Sequence, residues 1–152
     1  MQLQTKSFGI LEYDPKSVIH IQEGMLGFAK LKDFLLIENP DTEPFKILQS
    51  LDDPYVAFPM VDPRLLDPGY QCEVTSEDMG SLELEESSDA VILAVTVIPE
   101  DPAQSTVNLK APLLINQRKM IGKQFVLTES CYGTMQFLMS PPDRYQEEAE
   151  RR

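Results

Sequence analysis

The chain has 152 residues, of which 42% are hydrophobic and 25% are charged, values that suit one globular domain. Twenty-five acidic and thirteen basic side chains give a net charge of −12, which disfavours direct binding to nucleic acid or to an anionic membrane surface. That charge would attract a basic partner, but it would also simply keep a small protein soluble, so charge alone does not decide between these roles. No segment approaches the roughly 18 apolar residues of a membrane helix. The first residues lack the apolar run of a signal peptide, so we expect a cytoplasmic protein.

The first half of the chain is a series of short apolar runs broken by Gly, Pro or Asp, which predicts successive strands. These runs cover residues 8–13, 18–21, 34–37, 45–48 and 56–61. Gly24 and Gly27 flank a Met-Leu pair and predict a tight loop with positive φ at one or both glycines, with Phe28 filling the core beneath it. No third glycine and no helical pattern follow, which argues against a dinucleotide site. We expect one short helical turn at residues 29–33.

The apolar runs at 45–48 and 56–61 predict a hairpin whose turn contains Asp and Pro. Pro59 lies inside the second run and, since it has no N–H, predicts an edge position, a bulge or a strand start. We expect residues 64–69 to form a loop and residues 70–74 a half-buried strand.

The second half of the chain begins with the best helix candidate, residues 75–84, with Thr75 or Ser76 as the N-cap and Gly80 limiting its length. An acidic surface link follows at residues 83–89. Residues 90–98 are apolar at nearly every position and predict a central strand buried on both faces.

Further strands are expected over residues 105–116, where two pieces meet at Pro112, and over residues 120–127. Many short strands with almost no helical period predict an all-β fold, a compact antiparallel β-barrel-like or sandwich domain over residues 1–140. Residues 141–152 form a charged tail, helical or disordered.

Nothing in the chain suggests catalysis. It has no zinc-protease, nucleophile-elbow, phosphate-loop or EF-hand motif, and we expect no cofactor, no metal and no enzymatic activity. His20, the single histidine, lies inside an apolar run typical of a strand. Cys72 and Cys131 have no nearby cysteine partner, so we expect two reduced thiols, with a long-range disulfide left open.

Four short sequence blocks, taken in chain order, resemble the signature of the FliW family of flagellar assembly factors. The blocks are residues 23–28 (EGMLGF), 45–63 (FKILQS and FPMVDP), 106–116 (TVNLKAPLLIN) and 122–132 (GKQFVL, then a tyrosine). Each block is weak alone, but together they span nearly the whole domain. The matching residues are Gly24, Gly27, Phe28, Phe45, Leu48, Gln49, Ser50, Asp62, Pro63, Asn108, Pro112 and Asn116.

The resemblance implies a non-enzymatic, β-barrel-like protein that binds the translational repressor CsrA, a basic RNA-binding dimer, and competitively binds flagellin. In such a partner switch, flagellin held in the cytoplasm occupies the factor and leaves CsrA free to repress flagellin translation. Two alternatives stay open: a flagellin-binding chaperone without regulatory output, and a barrel that binds a small ligand. The last would need an interior polar pocket, for example around His20.

Most signature residues are expected to be structural, with Gln49, Asn108 and Asn116 bonding backbone groups of the barrel. For CsrA we expect contacts from the acidic loop and the tail, or else a merely solvated charged face; the residues are Glu83, Glu85, Glu86, Glu147, Glu148 and Glu150. For flagellin, which the family approaches through its helical C-terminal region, we expect an apolar patch beside Met25 or Met60, although methionines also fill cores.

Overall fold

The computed structural model describes residues 1–5, 9–72, 75–86, 89–127, 132–133 and 135–138. Two short helices lie within this part of the chain, α1 (Pro63–Leu66) and α2 (Ser76–Ser81). Its strands are β1 (Gln2–Thr5), β2 (Gly9–Glu12), β3 (Ile19–Ile21), β4 (Asp33–Glu38), β5 (Lys46–Ser50), β6 (Ala57–Val61), β7 (Ala90–Val97), β8 (Thr106–Val107), β9 (Leu113–Asn116), β10 (Ile121–Gln124) and β11 (Gln136–Phe137). No helix among the described residues is both long enough and apolar enough to cross a membrane.

Seven of the strands close into a barrel in the order β7-β6-β5-β4-β3-β10-β9, with β9 pairing back onto β7. The predicted all-β, barrel-like fold is therefore confirmed. Its neighbours are antiparallel except at one seam, where β3 and β10 run parallel with Ile121 opposite His20 and Gly122 opposite Ile21. Chain order cannot reveal this pair, because a hundred residues separate its two strands.

β8 and β9 both pair with the same edge of β7, and residues 108–112 bulge out between them. Asn108 holds the bulge, since its side-chain Oδ1 accepts hydrogen bonds from the N–H groups of Lys110 and Ala111, both at 3.1 Å. β11 extends this region by pairing with β8, whereas β1 and β2 form a separate two-stranded hairpin. Pairing along β7 is thus divided among three strands, β6, β8 and β9.

Beside a partly open cavity of about 300 Å³, the barrel interior holds nine buried apolar side chains. They are Ile19, Ile21, Met25, Phe34, Leu48, Met60, Leu93, Leu113 and Ile115. A second cluster around Val61, Tyr70 and Ala94 packs against the outer face of the same sheet. Since Leu93 belongs to the first cluster and Ala94 to the second, β7 is buried on both faces at its centre, as the sequence predicts. Its last residue, Val97, is 63% exposed.

Two local expectations are wrong and one holds only in part. A single hydrogen-bonded turn begins the segment 29–33, since the Leu31 N–H donates to the Phe28 carbonyl at 3.1 Å. It goes no further, because Asp52 Oδ2 accepts the N–H groups of Lys32 (2.9 Å) and Asp33 (3.3 Å), and β4 begins at Asp33. Residues 63–66 form α1 rather than a loop, since Asp62 caps the Arg64 N–H at 2.9 Å. Residues 70–72 lie outside any strand.

Two other expectations are confirmed. α2 is short and begins with a capping box, in which the Thr75 side chain accepts the Asp78 N–H and the Asp78 carboxylate accepts the Thr75 N–H. Gly24 and Gly27 both have positive φ, +69° and +84°.

Candidate functional site

An acidic segment, Glu83, Glu85 and Glu86, directly follows α2. All three glutamates are exposed, whereas Leu82 before Glu83 and Leu84 after it are 1% and 8% exposed and pack in a third core cluster. Burying the leucines therefore fixes the backbone of the segment and turns its carboxylates toward solvent. The sequence shows this alternation but does not indicate where on the barrel the leucines attach.

Asn116, at the end of β9, fastens the acidic segment to the barrel. Its Nδ2 donates to the carbonyls of Leu82 (2.9 Å) and Glu83 (3.2 Å), and its Oδ1 accepts the N–H groups of Arg118 (3.0 Å) and Lys119 (3.3 Å). Residue Asn116 is 2% exposed. Its bond to the Leu82 carbonyl is buried, and the other three bonds are partly buried. The acidic segment is thus held at a defined position beside the β9–β10 hairpin.

One basic side chain, Arg118, already approaches the acidic segment. Arg118 lies 3.6 Å from Glu85 Oε2 and 3.5 Å from Asp89 Oδ1. Exposed pairs of this kind contribute little to folding stability, about 0–1 kcal/mol, because water and side-chain entropy oppose them. A cationic partner would compete with Arg118 for Glu85.

A polar cleft of about 150 Å³ borders the acidic segment, and His20, Gln22 and Lys123 are among the residues that line it. His20 Nδ1 lies 2.9 Å from Asp33 Oδ1, and both side chains are largely exposed. The cleft lies on the outer face of the barrel, because His20 alternates with the buried core residues Ile19 and Ile21 along β3. Among the residues that the structure describes, no group of three or more His, Cys, Asp or Glu side chains is arranged to hold a metal ion.

The second candidate region is the loop from Gly24 to Phe28. Met25 and Met60 are 2% and 0% exposed and belong to the barrel core, so the methionines themselves do not form a surface patch. The exposed apolar side chains beside Met25 are Leu26, at 57%, and Phe28, at 40%. The expectation that Phe28 fills the core is wrong: its ring meets Phe58 edge-on, with centroids 5.2 Å apart, at the rim of the barrel.

Gln124 and Gly24 hold this loop in shape. Gln124 Oε1 accepts the Leu26 N–H at 2.8 Å, and its Nε2 donates to the Ala111 carbonyl at 2.9 Å, which ties the loop to the β8–β9 bulge. A Cβ on Gly24 would lie 2.5 Å from the Phe28 carbonyl oxygen, so the loop closes only around glycine. Gln124 belongs to the fourth sequence block, but a glutamine in a strand does not by itself predict that its side chain holds a distant loop.

The remaining signature residues lie in and around the β5–β6 hairpin. Gln49 Nε2 donates to the carbonyls of Ser50 (3.1 Å), Pro54 (3.3 Å) and Val56 (3.2 Å), and Ser50 Oγ accepts the N–H groups of Asp52 and Asp53. Leu48 is fully buried, Phe45 packs against the second cluster, and Pro63 is the buried first residue of α1. Pro112 is buried and its carbonyl accepts the Phe125 N–H at 2.9 Å.

Asp62 and Cys72 have perturbed acidities. Burial opposes the charged form of Asp62, but hydrogen bonds from the Arg64 side chain and backbone, with the charges of Arg64 and Lys46, outweigh burial and lower the pKa of Asp62. Burial, and to a lesser extent the charge of Asp78, raises the pKa of the Cys72 thiol to about 11. The Cys72 thiol is therefore protonated near neutral pH, unlike a reactive thiolate.

Glu147, Glu148, Glu150 and Cys131 lie outside the described residues. The structure therefore brings together Glu83, Glu85 and Glu86 as one surface and places the Leu26–Phe28 loop elsewhere. The register shows that the two regions lie at opposite ends of the β9–β10 hairpin: Asn116 pairs with Ile121 at the acidic segment, and Leu113 pairs with Gln124 at the loop.

Comparison with known proteins agrees with this architecture. The model of the FliW protein family matches residues 2–138. A flagellar assembly factor FliW of Thermoanaerobacter pseudethanolicus is 41% identical over 133 residues, which cover 87% of this chain and 89% of that protein. One from Alkaliphilus metalliredigens is 34% identical over 152 residues, covering 99% and 94%. A crystal structure of the flagellar assembly factor FliW superposes with a TM-score of 0.86 at 29% identity, covering 92% of this chain and 98% of the other.

Proposed function

Because this chain belongs to the FliW family of flagellar assembly factors, we propose that it acts by binding two proteins in alternation, the translational repressor CsrA and flagellin. While flagellin accumulates in the cytoplasm it occupies the factor, and CsrA is free to repress flagellin translation. Once flagellin is exported, the vacated factor sequesters CsrA and translation resumes. The reaction is an exchange of partners and needs no covalent chemistry.

The observation that supports CsrA binding is the acidic segment. Three exposed glutamates project from a backbone that is fastened by two buried leucines and by Asn116. A preorganised anionic surface suits a basic RNA-binding dimer, since little side-chain and loop ordering remains to be done on association. The net charge of −12 adds long-range attraction that speeds encounter at low ionic strength.

Reversing the charge of the segment tests this assignment. The variant Glu83→Lys/Glu85→Lys/Glu86→Lys should bind CsrA about tenfold more weakly or worse by calorimetry in low salt, and the loss should shrink as salt is added. A matched control, Glu12→Lys/Asp41→Lys/Glu43→Lys, changes the net charge equally at exposed positions away from the segment. Equal losses in the two variants would mean that only net charge matters, and the segment would not be the site.

The tail is tested separately with Glu147→Lys/Glu148→Lys/Glu150→Lys. We expect this variant to weaken CsrA binding while the thermal unfolding temperature stays unchanged. Unchanged affinity for CsrA would exclude the tail from the binding surface, and the acidic segment would then supply the acidic contacts.

A competition experiment tests the partner switch itself. Flagellin added to the preformed complex should displace CsrA in proportion to its own affinity, and CsrA should weaken flagellin binding by the same factor. No complex with CsrA at tens of micromolar in low salt would overturn the proposal. Flagellin binding without any effect on CsrA would instead favour a chaperone without regulatory output.

A further inference from the structure

One end of the barrel exposes large apolar side chains on three different segments. Leu26 and Phe28 lie on the Gly24–Phe28 loop, and Val97, 63% exposed, ends β7. Val97 follows Val95 and Leu93 at alternate positions, so it continues the interior face of β7. Phe58 lies on the interior face of β6 in the same way, two residues before Met60, and its ring contacts Phe28. We call these four side chains, Leu26, Phe28, Phe58 and Val97, the apolar mouth.

Pro59 explains why the β6–β7 ladder ends at the mouth. The β6–β7 ladder pairs Val61 with Ala94 and Met60 with Val95 and then stops. Pro59 has no N–H for the next pair, and the Thr96 hydroxyl donates to the Pro59 carbonyl at 2.9 Å instead. Beyond this point Val97 pairs with Thr106 of β8. The β6–β7 ladder therefore ends before Phe58 and Val97, which are the outermost interior-facing residues of the two strands at this end of the barrel.

The mouth is also rigid. The loop that carries Leu26 and Phe28 is closed by the Phe28 N–H to Met25 carbonyl bond at 2.8 Å and is clamped from β10 by Gln124. Single exposed hydrophobic residues are common on soluble proteins, but a set on rigid supports that extends a buried core is typical of a binding surface. Anchors that are already in position lose little entropy when a partner binds.

The backbone around the mouth disfavours an added strand and favours a helix. Strand addition needs a row of unpaired N–H and C=O groups, but Pro59 interrupts β6 and the end of β7 is already paired with β8. Side chains must therefore hold the occupant, as when the apolar face of an amphipathic helix packs into a hydrophobic groove. Exposed acids follow β7 at Glu100 and Asp101, which favours basic residues beside the apolar face of the occupant. Glu23, before the loop, is already paired with Lys123 at 3.7 Å and contributes less to this preference.

We infer that the apolar mouth docks an amphipathic helix with basic flanks, and, resting on the proposed function, that flagellin supplies this helix. The acidic segment lies at the other end of the β9–β10 hairpin, so the two partners contact surfaces of different chemistry. Their mutual exclusion then comes from overlap of the bound proteins or from coupling through the barrel, and not from shared contact residues. Loss of one surface should then leave binding to the other partner intact.

The test is the variant Leu26→Ser/Val97→Ser, measured against purified flagellin and purified CsrA. Both side chains are more than half exposed, so the thermal unfolding temperature should change little. Flagellin binding should weaken about 30-fold or more, the range of an interface whose main anchors are removed, and CsrA binding should stay within about twofold. The matched control is Leu65→Ser on α1, a leucine that is 64% exposed away from the mouth, and it should bind both proteins normally.

Each outcome decides a different statement. If the unmodified protein binds no flagellin, the proposed function fails and this inference fails with it. If the unmodified protein binds flagellin and the double variant binds it equally well, only the mouth is excluded. A variant that loses flagellin and CsrA together would show a shared surface and would also overturn the assignment.

Discussion

Replacing Asn116 tests whether the acidic segment depends on a buried clamp. In Asn116→Ala, the carbonyls of Leu82 and Glu83 lose their donor, and the N–H groups of Arg118 and Lys119 lose their acceptor. A buried polar group that is left without a partner costs about 1–3 kcal/mol, and water can reach some of these four groups. We therefore expect the free energy of unfolding to fall by about 2–4 kcal/mol.

The assay is urea unfolding followed by circular dichroism, together with thermal unfolding. For a chain of this length, a loss of that size lowers the unfolding temperature by about 5 to 15 °C. Asn116→Asp separates the two halves of the clamp, because aspartate keeps an acceptor for Arg118 and Lys119 but presents no donor to the Leu82 carbonyl at neutral pH. Gln117→Ala, at the exposed neighbouring position, should change stability by less than about 0.5 kcal/mol.

The reasoning would be refuted if Asn116→Ala unfolded within about 0.5 kcal/mol of the unmodified protein. The bonds would then be dispensable, and burial of Leu82 and Leu84 alone would position the glutamates. A large loss of stability in Gln117→Ala would also contradict it, since the effect would belong to the turn rather than to the Asn116 side chain.

Two further predictions concern the backbone and pH. Gly24→Ala should destabilise the fold by more than about 1 kcal/mol, because the residue has φ +69° and an added Cβ would overlap the Phe28 carbonyl oxygen. The control is Gly80→Ala in α2, where an added Cβ meets open space, so this variant should be neutral or stabilising. Equal urea midpoints for the two variants would contradict this. The lowered pKa of Asp62 means that its charge stabilises the fold fully above its ordinary pKa of 3.8, and that this contribution is lost as pH falls through the folded-state value. Asp62→Asn keeps the cap of α1 and removes only the charge. The urea midpoint of this variant should lie below that of the unmodified protein at pH 7 and approach it near pH 3. A difference in midpoint that does not change with pH would rule out the charge as the cause.

Local sequence chemistry explains the elements that form within a few residues of one another. The Thr75–Asp78 capping box, the positive φ of Gly24 and Gly27, and the turn after Ser50 all follow from side chains and backbone neighbours in sequence. The apolar runs likewise predict most strands and an all-β fold. Ordered motifs across the chain also suffice to identify the FliW family.

The α1 helix and the segment 29–33 show where local chemistry falls short. Each was decided by a single carboxylate: Asp62 caps a helix only four residues long, and Asp52, some twenty residues away, captures the N–H groups of Lys32 and Asp33. A capping residue before a proline is a helix-start signal, but here Asp67-Pro68 follows after only four residues, so the pattern also suits a loop. A distant acceptor gives no local signal.

The sequence by itself determined the family, the all-β class and the acidic character of the surface, because these depend on residue type and order. Only the tertiary structure decided which side chains are buried and which are presented. Met25 and Met60 enter the core, while Leu26, Phe28 and Val97 remain at its open end. The physical reason is long-range pairing: the β6–β7 ladder that ends at Pro59, the parallel β3–β10 seam and the Asn116 and Gln124 clamps join residues that are far apart in the chain.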